Sequence, residues 1–266
     1  MLKPVRERFT KNEEGNTLVD LTELIMYLGI SKEEAYKIHE TCREDLAAAW
    51  NKANPQTDLE MQQFYATTDL YVWDLFSWDH GSHIWELLDK KITGNERVLD
   101  YGAGIGDIAI YLAEKGCDVV AIELDIVENT NNQNKVTPSP TKDFLMNRVY
   151  ARKLGNKIKF SVPEMDTEVF DVVLAIDVLE HLRFPLRWVV QLTKLLKNRQ
   201  SWAFFTPTFR RDTDYQPMHL EENFWLEKTF GMAMQSLALE PEFVVDEYYP
   251  IWHPLFKTNP MGAKGI

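Results

Sequence analysis

The chain has 266 residues, 45% of them apolar and 26% charged, with a net charge of −12. That length buries a core easily and fits one large domain, or one domain with a helical extension, and the acidity argues against a broad nucleic-acid surface while suiting small neutral or cationic ligands. No apolar run approaches the roughly 18 residues of a membrane span, no basic and apolar leader opens the chain, and the two cysteines, Cys42 and Cys117, lack a Cys-x-x-Cys spacing, so a cytoplasmic protein with no membrane contact and no structural zinc is expected.

Residues 1 to 15 are polar and mixed in charge and read as poorly ordered. Leu18 to Leu28 reads as a short helix ended by Gly29. Ser31, with Glu34 three residues on, is a capping box for a longer helix that stops at Asn54-Pro55. A third helical stretch, from Asp58 to Trp78, carries Phe64, Tyr65, Tyr71, Trp73, Phe76 and Trp78. One reading is a helical cap packed by its aromatics. The other is a lid in which Tyr65 and Tyr71 close over a bound cation, since aromatic faces attract cations. Gly81-Ser82 marks a turn, and Ile84 to Lys91 leads into the first strand.

The stretch Val98 to Asp125 organises the rest. Val98-Leu99 suits a buried parallel strand, Gly102, Gly104 and Gly106 form a turn, and an amphipathic helix through Ile105, Ile108, Ala109 and Leu112 ends at Gly116. A second strand, Val119 to Ile122, ends on Glu123. This is the first βαβ half of a nucleotide-binding fold, with the ligand at the carboxyl ends of the strands. A dinucleotide fingerprint needs Gly or Ala five residues after its first glycine, and here that place is Asp107. A carboxylate at a helix N-terminus is a poor neighbour for a phosphate, so the turn suits a ligand without one, such as the cation S-adenosyl-L-methionine (SAM). Glu123 then offers two acceptor oxygens to the ribose hydroxyls.

Asn129 to Pro140 reads as a long loop, followed by a helix from about Asp143 to Gly155 and a strand from Lys157 to Val162. Val172 to Ile176 is a continuous apolar run for a central strand and ends on Asp177. The helix after it carries Glu180 and His181. Leu186 to Lys197 is the next helix and Trp202 to Phe205 the fifth strand. Residues 210–220 form a second long loop, Glu222 to Leu239 is mostly helical, and Phe243 to Tyr248 with Ile251 to Phe256 would be the last two strands.

Val98 to Asp125 resembles motif I and the acidic loop of the class I SAM-dependent methyltransferases, and Phe170 to Leu182 (FDVVLAIDVLEHL) resembles their motif IV region. The likeness runs from about Trp85 to Phe256 and is closest to the small-molecule and quinone-type branch. It implies an α/β fold: a Rossmann-like, seven-stranded, mostly parallel sheet with helices on both faces. With the N-terminal helices this makes a cap or lid over residues 1–82 and a SAM-binding domain over 83–266. It implies SAM contacts from Asp100, Gly102, Ala103, Gly104, Glu123 and Leu124, with Tyr65 and Tyr71 as lid candidates. Many members follow the third strand with an Asp for the adenine amino group; here the run is SVPEMDTEV, in which Glu164 or Asp166 could substitute and Met165 could pack on the ring.

Asp177 is expected to reach the cofactor through its backbone carbonyl, to cap the following helix, or to act as a base. His181, four residues on and on the same helix face, could take a proton from an acceptor, although the corresponding histidine of the family is more often structural. His219 is a similar candidate in the acceptor-side loop. His80 and His83, near Asp79 and Glu86, could be a metal cluster, but no metal is expected. The leading function is methyl transfer from SAM to oxygen or nitrogen of a small-molecule acceptor. The alternatives are a SAM-consuming enzyme that yields methylthioadenosine, by intramolecular cyclisation or aminopropyl transfer, and a non-catalytic SAM-binding partner subunit.

Overall fold

The computed structural model describes residues 2–14, 17–78, 80–123, 125–130, 133–160, 168–207, 209, 220–245 and 250–255. The chain opens with a short 3-10 turn, Val5–Arg8, and a hairpin of β1 (Phe9–Lys11) and β2 (Thr17–Val19). Four helices follow: α1 (Thr22–Leu28), α2 (Lys32–Ala53), α3 (Asp58–Thr67) and α4 (Asp69–Ser77). The N-terminus is therefore not the loose tail its polarity suggests, because Val5 is buried in the main core and Arg8 is buried in an ion pair. Ser31 accepts from the Glu34 amide as expected, and a full reciprocal capping box forms at Thr57 and Glu60. The aromatic stretch is two helices rather than one. The chain bends at Thr68, whose hydroxyl donates back to the Phe64 carbonyl.

After α5 (Ser82–Lys91) come β3 (Arg97–Tyr101), α6 (Asp107–Lys115) and β4 (Asp118–Ile122). Where a loop is expected from Asn129 to Pro140, the chain forms a second antiparallel hairpin that starts earlier, β5 (Asp125–Thr130) with β6 (Gln133–Pro138). Turn-forming residues at its centre mask strands whose pairing is with each other only, a pattern that composition does not reveal. Helix α7 (Pro140–Ala151) starts three residues before Asp143, because Ser139 caps it and Pro140 takes the first helical position. Then follow β7 (Ile158–Phe160), β8 (Val172–Ile176), α8 (Pro185–Thr193), β9 (Trp202–Thr206), α9 (Phe230–Ser236), β10 (Leu239–Glu242) and β11 (Ile251–Pro254). The sixth strand thus precedes Phe243. The segment read as helix is a 3-10 run, Glu221–Glu227, followed by the short α9. Pro241 is tolerated in β10 because that strand lies at the sheet edge.

The seven-stranded sheet has the order β10-β11-β9-β8-β3-β4-β7. β7, β4, β3, β8 and β9 are parallel neighbours, and β11 pairs antiparallel with β9 and β10. All five residues of β8 and of β9 are buried, the pattern of strands covered on both faces. One face packs against α5, α6 and α7 through Leu88, Leu112 and Leu145, the other against α8 and α9 through Val189 and Met234. The N-terminal helices join through a third cluster in which Leu24, Cys42, Trp73 and Phe76 meet Ile105 and Phe144. Among the described residues no helix is long and apolar enough to cross a membrane.

The turns at Gly94 and Gly116 press together, and both require glycine. Gly94 has φ +98°, and a Cβ there would lie 2.2 Å from the Lys115 carbonyl oxygen at the end of α6. Gly94→Ala is expected to destabilise the protein by about 2–4 kcal/mol in urea unfolding, because backbone rather than a movable side chain must give way.

Candidate active site

Strand order reverses between β3, which leads to β4 on one side, and β8 on the other. At such a switch point the carboxyl ends of the strands leave a crevice for a ligand. The glycine-rich turn fills its floor. The amides of Gly102 and Ala103 both donate to the Ile122 carbonyl, at 3.0 and 2.9 Å, and that of Gly104 donates to Glu123 Oε2 at 2.6 Å. The turn is therefore stitched to the tip of β4. A Cβ on Gly102 would meet Val178 at 2.5 Å, so the turn also abuts the segment after β8.

Asp100, at the end of β3, is 3% exposed, and its Oδ2 has no hydrogen-bond partner among the described residues. Burial, with the Glu123 charge nearby, pushes its carboxyl up to about 7, although the Ala109 amide opposes this. A buried carboxylate oxygen of this kind, beside a turn of glycines that lets a ligand come close to the backbone, fits a ligand that carries an ammonium. SAM has such a group on its methionine arm, and the residues present fit it. Asp100, Gly102 to Gly104 and Glu123 would hold it.

Asp107 reads differently in three dimensions. Its carboxylate is not offered to the ligand but lies buried between the guanidinium groups of Arg8 and Arg148. Burial alone would raise its pKa, but the two arginines hold it well below the ordinary carboxylate range. The acid after the third glycine thus does not repel a phosphate by itself, because its charge is already neutralised.

Asp177 does not cap an α-helix. It follows β8 in the left-handed region, φ +54°, a conformation that Asp tolerates better than most side chains. Its amide donates to Thr206 Oγ1 at 3.2 Å, and that hydroxyl in turn donates to Asp177 Oδ1 at 3.3 Å. The next turn is a 3-10 segment, Leu179–His181, so the four-residue spacing to His181 does not place the two on one α-helical face. His181 instead meets the N-terminal helices. Its Nδ1 lies 2.9 Å from the Tyr65 hydroxyl, and the two rings meet edge to face at 5.7 Å. The Tyr71 ring lies 5.0 Å from that of Tyr65, tilted by 53°. Burial, with Glu180 beside Tyr65 and with Tyr65 and Glu123 beside Tyr71, raises both phenols well above their ordinary pKa.

The structure thus brings together Tyr65, Tyr71, Asp100, Gly102, Ala103, Gly104, Glu123, Asp177 and His181. Leu124, Glu164, Met165, Asp166 and His219 lie outside the described residues. His80, read with His83 as a candidate metal cluster, has its Nε2 3.9 Å from Asp107 Oδ2, and among the described residues no group of three such side chains comes together. Contributors that the sequence did not single out are Leu75 on α4, whose Cδ1 would lie 3.3 Å from a Cβ on Gly104, and Thr206 at the end of β9. Neither carries a local signal, since an apolar helix position and a strand-end threonine are ordinary.

Fold and site define a Rossmann-like domain with a crevice at the carboxyl ends of its strands. Residues 39–240 match the profile of a family described as a methyltransferase domain. The chain belongs to that family and is a SAM-dependent transferase. Among solved structures, an O-methyltransferase family protein from Burkholderia thailandensis is similar at a TM-score of 0.52 and 12% identity, over 93% of this chain and 80% of that one. The cyclase SpnF is similar at 0.44 and 17% identity, over 63% of this chain, which spans 60% of the SpnF chain. The PH0226 protein of Pyrococcus horikoshii OT3 is similar at 0.48 and 16%, over 72% and 98%. At such identities the likeness is one of fold. No curated protein sequence matches the chain.

The buried Asp100 has a pH signature. Its folded pKa is raised from 3.8 to about 7, so the penalty for ionising it is absent below about pH 4 and grows as pH rises to 7. Asp100→Asn, without cofactor, is expected to gain about 2–4 kcal/mol over the parent at pH 8 and nothing at pH 4, at about 1.4 kcal/mol per pKa unit. Urea unfolding at the two pH values checks the difference.

Proposed function

We propose that the protein transfers a methyl group from SAM to an oxygen or nitrogen of a small-molecule acceptor, with His181 as the base and Tyr65 holding it. The observation that carries this reading is the 2.9 Å contact between Tyr65 and His181 Nδ1, which joins the helical cap to the β8 end of the crevice. With Nδ1–H donating to the Tyr65 oxygen, Nε2 is left as the basic nitrogen. Tyr65 remains a neutral phenol across the working pH range, because burial raises its pKa.

SAM supplies a methyl group on a sulfonium, which is already an excellent leaving group. The protein's work is to orient the acceptor, exclude water and remove one proton. Asp100 and the backbone of the glycine turn would hold the donor, Glu123 at the tip of β4 would take its ribose, and Asp177, fixed by Thr206, would offer its carbonyl to the methionine arm. The acceptor's O–H or N–H proton passes to His181 Nε2 as the new bond to carbon forms. Helices α3 and α4 cover this centre with Tyr65 and Tyr71. Arg183 ties the cap down, donating to Asp58 at 2.9 Å and to the Gln56 carbonyl at 2.5 Å.

Incubation with SAM and an extract of candidate acceptors, followed by mass analysis, tests the reaction. S-adenosylhomocysteine with an acceptor heavier by one methylene is the expected result. Methylthioadenosine, or binding without any turnover, would overturn it. His181→Ala should lower kcat by about 10²–10⁴-fold with SAM affinity unchanged, the range of a lost general base. Tyr65→Phe should lower kcat by roughly tenfold and shift the pH profile of kcat, because the imidazole keeps its place but loses the partner of Nδ1.

A further inference from the structure

The glycine-rich turn is held from behind by residues far from it in sequence. Asp107, the first residue of α6, receives Arg8 in a two-pronged pair: Nη1 to Oδ1 at 2.8 Å and Nη2 to Oδ2 at 2.5 Å. Arg148 of α7 places one nitrogen on both Asp107 Oδ1, at 2.8 Å, and the Ile105 carbonyl, at 2.7 Å. Ile105 is the residue between Gly104 and Gly106. The other terminal nitrogen of Arg148 reaches Glu23 of α1 at 3.0 Å, and Arg152 contacts the same carboxylate at 2.8 Å. Arg8 also lies over the Phe76 ring at 4.2 Å and the Phe9 ring at 4.7 Å. Arg8, Asp107 and Arg148 are all buried. Arg8 and Glu23 precede the span 39–240 that matches the family.

We propose that Arg8 and Arg148 are positioning residues for the cofactor turn, so that an N-terminal strap outside the matched family span is part of the SAM site. The inference rests on the reading that this turn holds SAM. A turn built on glycines has few side chains to fix its path. Here one peptide run, Gly104 to Asp107, is pinned on its rear by Arg148 at the Ile105 carbonyl and by two guanidinium groups at Asp107. On its front, the Gly104 amide meets Glu123. The two terminal nitrogens of Arg8 take both Asp107 oxygens, and those of Arg148 span from Asp107 and the Ile105 carbonyl on one side to Glu23 on the other; a lysine ammonium in either place keeps the charge but, as a single nitrogen, cannot hold the whole set in the same geometry. For stability alone an apolar cluster of equal volume would serve as well or better. What the ion network adds is a single path for the backbone of the turn that floors the crevice and, through the Gly104 amide, a fixed place for Glu123.

Calorimetric titration of SAM into the full chain and its Arg8→Gln, Arg8→Lys and Arg148→Lys variants tests this, with amide hydrogen exchange of residues 104–108 measured without ligand. The expected result is a Kd raised at least tenfold in each variant at one site per folded molecule, with faster exchange in the turn and unchanged exchange in β8. A Kd within twofold of the parent, even with a lower melting temperature, would show the network to be merely structural and overturn the proposal. Should Arg8→Gln or Arg148→Lys fail to fold, Arg8→Lys, which retains the charge and one bond, decides. If the parent binds no SAM, the proposed function fails. Unchanged exchange of the turn in Arg8→Lys would then overturn the clamp independently.

Discussion

A buried carboxylate cannot stay ionised without partners, and Asp107 is where the protein meets that constraint. It stands at the first turn of α6, where the helix dipole favours a negative charge, but burial opposes ionisation far more strongly. Arg8 and Arg148 resolve the conflict, and each brings its own element with it: the N-terminal turn and α7. Glu23 then balances the second arginine and also pairs with Arg152. Removing one member of such a pair leaves an uncompensated charge, at a cost of about 3–5 kcal/mol. The N-terminal turn, α1, α6 and α7 are thereby made to fold as one body with the glycine turn.

Two aspartates of the same strand-turn-helix unit take opposite roles from their surroundings. Asp107 is paired and held ionised, so it is structural. Asp100, seven residues earlier and equally buried, has an oxygen with no partner among the described residues and a pKa pushed to about 7, which suits the proposed role of receiving a ligand's cation. The separation of two nearby carboxylates by environment is how one site keeps both a fixed scaffold and a receptive group.

The proposed chemistry of the crevice depends on a second long-range meeting. Tyr65 comes from α3 and His181 from the turn after β8. Their contact exists only because the cap helices dock on the carboxyl ends of the strands, helped by Arg183 at the margin and by Leu75 against the glycine turn. Neither residue has a neighbour in sequence that would assign it the role.

The sheet and the cofactor turn were legible in the sequence because they rest on local, periodic signals. Continuous apolar runs mark β3 and β8, three glycines mark the turn, and Glu123 closes the next strand. The N-terminal strap, the hairpin β5–β6 and the early position of β10 were not legible. A polar strand that pairs only with its neighbour, or an arginine that pairs with a carboxylate 99 residues away, leaves no period to read. The same limit explains Asp107: spacing gave its place in the fingerprint, but whether its charge faces a ligand or an arginine is decided by which helices pack behind it. Sequence determines residue chemistry and local backbone preference; the sign and partner of a buried charge belong to the tertiary structure, because electrostatic cost depends on the whole surroundings of a group and not on its neighbours in the chain.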